Sequence, residues 1–366
     1  MKIVRDLLDR VEPLFQEGGA FRLFKPVYDA GSAILLSPLD RTISSPHVRD
    51  QLDVKRYMTL VIVALMPALA ASVYFFGLRV LGMVMVSYVA GGAVEVLFAI
   101  VRKEEINEGF LVTGLLFPLV LPPATPLWMV AIGVMFGVLV GKELFGGTGR
   151  NLFNPALVGR IFLVIAYPRT MSESWLYARP QAFADVLPMD IDAISAATQS
   201  AVDVMTSATP LVAAKNGVIV PLWNLFFGTV SGSAGETSAM ALILGGLFLL
   251  FVGVASWRTV AATLGSFALM TFVLHDGSLY MTLWHMLAGG LMIGAFFMAT
   301  DPVSSPMTKA GRVAYGAIIG VSAALIRNLT GYVEGVMFSI LLGNIFAPIL
   351  DEIFLVLRVR RLREEG

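Results

Sequence analysis

The run Tyr57-Met58-Thr59-Leu60-Val61-Ile62-Val63-Ala64-Leu65-Met66-Pro67-Ala68-Leu69-Ala70-Ala71-Ser72-Val73-Tyr74-Phe75-Phe76-Gly77-Leu78 carries no charge. It is long enough to cross the ~30 Å hydrocarbon core of a bilayer as a helix. Similar runs recur along the chain, and they decide the class. The 366 residues are 57% hydrophobic and 14% charged, with a mean hydropathy of +0.79. A soluble domain carries about 25% charged residues. In lipid every backbone polar group must be satisfied within the protein, so repeated apolar runs of this length are expected to be helices. The expected fold is all-α and polytopic.

Ten membrane segments are expected: 57–78, 80–101, 109–122, 127–142, 154–168, 237–256, 259–275, 281–299, 313–327 and 333–351. The third, fourth and fifth are short and are punctuated by Pro118, Pro122, Pro123 and Pro155. Short, Pro-interrupted spans are the sign of broken helices around a midplane site, or of helix ends misjudged by eye. Asn151-Leu152-Phe153-Asn154-Pro155-Ala156-Leu157 is echoed by Asn344-Ile345-Phe346-Ala347-Pro348-Ile349-Leu350. The echo suggests two five-helix repeats.

Charge sets the orientation. Residues 1–56 hold nine Lys/Arg, ending in Lys55 and Arg56. Arg102, Lys103, Lys142, Arg150, Arg258, Lys309, Arg312 and the basic tail 352–366 fall on the same side. Loop 169–219 carries Arg169, Arg179 and Lys215 against Glu173, Asp185, Asp190, Asp192 and Asp203. Both termini are therefore expected in the cytoplasm and that loop outside. The organisation reads as an N-terminal arm (1–56), a first membrane half (57–168), the outer loop (169–219), a second half (220–351) and the tail. In the arm, Ile3, Val4, Leu7, Leu8, Val11, Leu14 and Phe15 form the stripe of an amphipathic helix. The polar, mixed-charge start gives no expectation of a cleavable leader.

The formal net charge is zero and points to no nucleic acid. The absence of Cys excludes disulfides, thiolate-ligated iron–sulfur clusters and Cys-attached haem from this chain. His275 and His285 flank an expected outer turn, a poor arrangement for haem, and no cluster has metalloenzyme spacing.

Four motifs can carry chemistry. Gly146-Gly147-Thr148-Gly149-Arg150-Asn151 lets the backbone approach a flat ligand, and Asn151 and Asn154 offer paired donors and acceptors. Asn154 followed by Pro155 also reads as an ordinary helix cap. Gly91-Gly92-Ala93-Val94-Glu95 places an acid within a span, where acids are costly and usually functional. It fits cation passage, a hydrogen bond to a quinone head, or an ion pair with a neighbouring subunit's Arg. Asp301 and Asp351 lie at inner span ends and suit a sodium path or plain helix-end solvation. Glu236 reads as a first-turn residue that favours the helix dipole. The fourth motif is Asp203-Val204-Met205-Thr206-Ser207-Ala208-Thr209-Pro210-Leu211, a polar run with no evident structural purpose. It resembles the acceptor on which flavin mononucleotide (FMN) is hung through its phosphate. The nearby Asp192-Ala193-Ile194-Ser195-Ala196-Ala197-Thr198 has almost the same pattern, so Thr198 rivals Thr209. A tethered acceptor is expected to be exposed and unstructured.

Together with Ser45-Pro46-His47-Val48-Arg49-Asp50, Glu105-Ile106-Asn107-Glu108-Gly109-Phe110, Gly141-Lys142-Glu143-Leu144-Phe145 and Ala299-Thr300-Asp301-Pro302-Val303-Ser304, these motifs resemble the B subunits of sodium-translocating NADH:quinone oxidoreductases. The D subunits of Rnf ferredoxin:NAD oxidoreductases share the Asn-Pro and Ala-Thr-Pro-Leu motifs. The resemblance implies a subunit of a six-subunit complex in the bacterial inner membrane. It also implies covalent FMN on Thr209, attached by a flavin transferase that reads Asp203, Thr206, Ser207 and Ala208. Riboflavin would sit against Gly147, Thr148, Asn151 and Asn154, and quinone near Gly91, Gly92 and Glu95. Electrons from NADH, oxidised in another subunit, would then reach quinone as Na+ is exported. Ser207 stands where the family usually has Gly. A secondary transporter without redox centres is the rival from another class.

Overall fold

The computed structural model describes residues 54–103, 109–176, 178, 209–330 and 335–365. The expected helix at 3–15, the Ser45–Asp50 motif, Thr198, Asp203, Thr206, Ser207 and Ala208 lie outside the described residues.

The described residues form helices and connecting loops. The first half contains α1 (Val54–Phe76), α2 (Arg79–Arg102), α3 (Gly109–Leu119), α4 (Leu127–Gly141) and α5 (Pro155–Ala166). Three short helices follow: α6 (Pro168–Glu173), α7 (Pro210–Lys215) and α8 (Leu222–Phe227). The second half contains α9 (Ala239–Val252), α10 (Trp257–Leu274), α11 (Leu279–Leu287), α12 (Leu291–Met298), α13 (Lys309–Leu329) and α14 (Val336–Glu365). Caps are supplied where the sequence offers a short polar side chain. The side chains of Asn154, Thr209, Ser238, Ser256, Ser278 and Thr308 accept amides of α5, α7, α9, α10, α11 and α13.

Each expected segment meets a helix or a bent pair of helices. Among the described residues, six helices are long and apolar enough to cross a membrane, or seven with the bent pair as one span. The fourth expected segment is one of the long ones, because a 3₁₀ turn extends α4 to Phe145. Helices α3, α5 and α9 have only 11, 12 and 14 residues. At 1.5 Å per residue they fall well short of ~30 Å. α11 and α12 are bent by 71° at a break where Gly289 takes φ +65°. α14 runs unbroken from its span through the basic tail to Glu365.

Non-helical backbone among these short helices is satisfied by protein, as a membrane interior demands. Beyond α3, the carbonyls of Leu119 and Leu121 accept from Gly235 N (2.6 Å) and Ala234 N (2.9 Å), on the strap leading to α9. Packing repeats between the halves. α2 lies along α4 and α4 on α5; likewise α10 lies along α13 and α13 on α14, while α1 against α9 joins the two sets. The two copies of the Asn–Pro echo fall on corresponding helices of this repeat, α5 and α14, but at different positions within them. Pro155 opens α5, whereas Pro348 lies inside α14.

Glycines make the close crossings. A Cβ on Gly159 would lie 2.5 Å from Gly133 O, and one on Gly316 would lie 2.7 Å from Thr259 O. Small residues at such positions let helix backbones approach, which drives association where lipid offers no hydrophobic gain.

Candidate functional site

Elements of both halves meet around one cavity of about 60 Å³, room for a few water molecules, its wall mostly apolar but carrying several polar side chains. Its wall includes Tyr57 from α1, Thr113 from α3, Lys142 beyond α4, and Thr148, Asn151 and Asn154 ahead of α5. Asp301 closes it beyond α12. The loop after α4 is shaped by Gly146, Gly147 and Gly149, whose φ angles of +108°, +91° and +90° suit glycine.

The cavity's donor set suits the edge of a flavin ring, which alternates acceptors and donors. Asn154 accepts Ala156 N through Oδ1 at 3.0 Å, leaving Nδ2 for a ligand. Asn151 donates Nδ2 to Phe153 O at 3.0 Å, leaving Oδ1. Thr148 Oγ1 is buried and has no hydrogen-bond partner among the described residues. Two amide side chains and a hydroxyl-bearing residue therefore share the cavity wall. At this size a whole tricyclic ring requires the walls to part.

Glu95 is paired within the chain. Lys142 Nζ donates to Glu95 Oε1 at 2.6 Å, with both side chains buried. Next to it, Arg102 Nη1 donates to Glu143 Oε2 at 2.7 Å, and Arg102 Nη2 donates to Glu143 O. In sequence Arg102 and Lys142 pass for loop charges, and Glu143 appears only within the Gly141–Phe145 motif. The sequence marked Glu95 as a costly acid within a span, but not that Lys142 pairs with it or that Arg102 pairs with Glu143. Gly91 receives a ring rather than a helix: its Cβ would lie 2.6 Å from the Phe110 ring, against 3.4 Å for Gly92. Phe110 is held edge-on to Tyr88 with centroids 6.1 Å apart.

Asp301 accepts from Ser304 Oγ at 2.8 Å and Val303 N at 3.4 Å. Burial pushes its carboxyl up, and these hydrogen bonds pull it back. Asp351 lies elsewhere. Its carboxylate accepts Met307 N (2.7 Å), Thr308 N (2.9 Å) and Thr308 Oγ1 (2.6 Å), bracing the start of α13.

Thr209 is not the exposed, unstructured hydroxyl expected of it. It is 5% exposed and caps α7, accepting Val212 N at 3.4 Å. Pro210 presets the first turn of that helix, which draws Thr209 into order. Leu211 packs at the α11–α12 break, where a Cβ on Gly289 would lie 2.8 Å from it. Lys215 Nζ donates to Thr330 O beyond the end of α13. Asp301 and the cavity lie before the start of α13. The two candidate sites thus lie toward opposite ends of α13.

Two buried arginines went unread although both lie inside apolar runs, where arginine is itself a signal. Arg160 pairs with Glu236 at 2.9 Å. Arg327 Nη1 donates to His285 O at 2.6 Å, and His285 stacks on His275 with centroids 4.7 Å apart.

Long apolar helices, half-length helices and a bent pair around buried polar groups define a multi-pass α-helical membrane protein. The chain belongs to the NQR2, RnfD, RnfE family, whose profile matches residues 41–358. It is 36% identical to the B subunit of the Na(+)-translocating NADH-quinone reductase of Klebsiella pneumoniae (strain 342), over 99% of this chain and all of that protein. The protein of the same name from Neisseria meningitidis serogroup B is 38% identical over 95% of each chain. That of Pseudomonas aeruginosa (strain LESB58) is 36% identical over 99% of this chain and all of that protein.

Proposed function

We propose that this chain is the flavin-bearing, quinone-reducing subunit of a sodium-exporting NADH:quinone reductase. The observation that carries the proposal is the cavity that Thr148, Asn151 and Asn154 line together, in a chain whose relatives bear that enzyme's name. A flavin supplies one- and two-electron chemistry that side chains lack. Asn151, Asn154 and Thr148 orient riboflavin by its polar edge, and the loop at Gly147 lets backbone approach it. Thr209 carries FMN through a phosphoester made by a flavin transferase that recognises Asp203, Thr206, Ser207 and Ala208. Glu95 offers an acceptor to a quinone head beside Gly91 and Gly92. Asp301 and Asp351 are acids on the sodium path. The complex has six subunits and lies in the bacterial inner membrane with both termini of this chain cytoplasmic. Its other subunits oxidise NADH and hold any iron–sulfur centre.

A second reading, an Rnf-type D subunit passing electrons from ferredoxin to NAD, is favoured by a family that includes both kinds. Quinone reduction by the purified complex separates the two. A non-redox transporter, suggested by the half-helices, requires a chain without flavin. The deciding experiment is expression with a flavin transferase, followed by in-gel flavin fluorescence and peptide mass spectrometry of loop 169–219. FMN mass on Thr209 is expected. A chain with no covalent flavin sinks the redox reading, and flavin on Thr198 alone moves the tether.

A further inference from the structure

Lys142 faces two ways. Its Nζ holds Glu95 Oε1 at 2.6 Å, and the residue lines the cavity with Thr148, Asn151 and Asn154. The pair is dry, with side-chain exposures of 4% for Lys142 and 6% for Glu95. Glu95 Oε2 is buried without a hydrogen-bond partner among the described residues. Neighbouring Glu143 is held by Arg102 instead. Among the described residues that line the cavity, Lys142 is the one cation and Asp301 the one anion. Glu95 is not in the wall. The pair therefore presents the positive end of a buried dipole to the cavity, in surroundings where charge is weakly screened.

We infer that Lys142 is a positioning residue through which Glu95 sets the electrostatic field on the cavity's ligand, linking the proposed quinone-side acid to the flavin. This rests on the flavin reading above. While Glu95 is charged, it offsets Lys142 and holds the ammonium toward itself. When Glu95 is neutralised, the full cation faces the cavity and stabilises an electron-rich ligand. The occupancy and charge at Glu95 thereby govern how readily the cavity's ligand accepts electrons.

The test is spectroelectrochemical titration of non-covalent riboflavin in the purified complex. Glu95→Gln should raise its potential and Lys142→Met should lower it. Lys142→Arg should hold it at the wild-type value. The double variant Lys142→Met/Glu95→Gln leaves no buried charge unpaired, so it serves where a single variant does not assemble. Its potential should fall below wild type and above Lys142→Met. Riboflavin retained at one unchanged potential in all variants overturns the inference and spares the flavin reading. Riboflavin that survives replacement of both Asn151 and Asn154 overturns the flavin reading of the cavity, and this inference with it.

Discussion

Arg160 Nη1 on α5 donates to Glu236 Oε1 at 2.9 Å, and Nη2 of the same guanidinium reaches Ser233 Oγ at 3.3 Å. This buried pair bolts the first half to the strap that opens the second. Glu236 precedes the Ser238 cap of α9, so it is not the first-turn dipole partner its sequence position suggested. It projects beside Gly290, where a Cβ would meet Glu236 Oε1 at 2.5 Å.

Removing one member of a buried ion pair costs about 3–5 kcal/mol, because the other charge loses its partner. Arg160→Met should markedly lower the thermal unfolding midpoint in detergent. Arg160→Met/Glu236→Met should recover most of the loss. Equal losses in the single and double variants would refute the account.

Asn154 has two separable roles. Asn154→Ala removes the cap of α5, costing about 1 kcal/mol, and also removes the Nδ2 donor. Asn154→Asp keeps the capping oxygen but replaces the donor with an acceptor. Riboflavin content should therefore fall in both variants, while unfolding shifts only in the Ala variant. Full riboflavin retention in Asn154→Asp would show that the donor is not used.

At Thr209 the hydroxyl both caps α7 and is the proposed tether. Thr209→Ala should abolish in-gel flavin fluorescence, whereas Thr209→Ser should keep it and Thr198→Ala should leave it unchanged. Because Thr209 is buried in its cap, the transferase must act while α7 is open.

Gly91→Ala drives a methyl to 2.6 Å from the Phe110 ring, while Gly92→Ala meets it at an ordinary 3.4 Å. The first should raise the quinone KM several-fold by displacing Phe110, and the second should change it little. Pairing Gly91→Ala with Phe110→Leu should restore binding. Identical effects at both glycines would remove Phe110 from the explanation.

Asp351 separates bracing from sodium passage. Asp351→Ala removes three hydrogen bonds at the start of α13, each worth about 1.5–3 kcal/mol when the acceptor is charged, so stability should drop. If the carboxylate also meets sodium, Asp351→Asn should raise the Na+ concentration that half-saturates turnover. Unchanged sodium dependence would leave Asp351 as a brace alone.

The Asn151–Asn154 loop was legible because capping and glycine chemistry are local, and Asn154 caps α5 as its sequence implied. The ten segments were legible because hydropathy is summed over a window. The status of α3, α5 and α9 as half-length helices was only partly so, since their ends are fixed by which backbone groups find partners across the fold. Lys142 illustrates the limit most clearly. Beside a span it reads as an inside-loop charge, and nothing within ten residues reveals that Glu95 awaits it.

By itself the sequence determined an all-helical membrane chain, its segments and its caps, because apolar run length and capping side chains act over a turn or two of helix. Tertiary structure decided which charges are buried together, that Phe110 occupies the space at Gly91, and that Thr209 is held in a cap at the far end of α13 from the cavity. Those outcomes depend on helices meeting from distant parts of the chain, where desolvation leaves each buried charge dependent on a partner that local pattern does not encode.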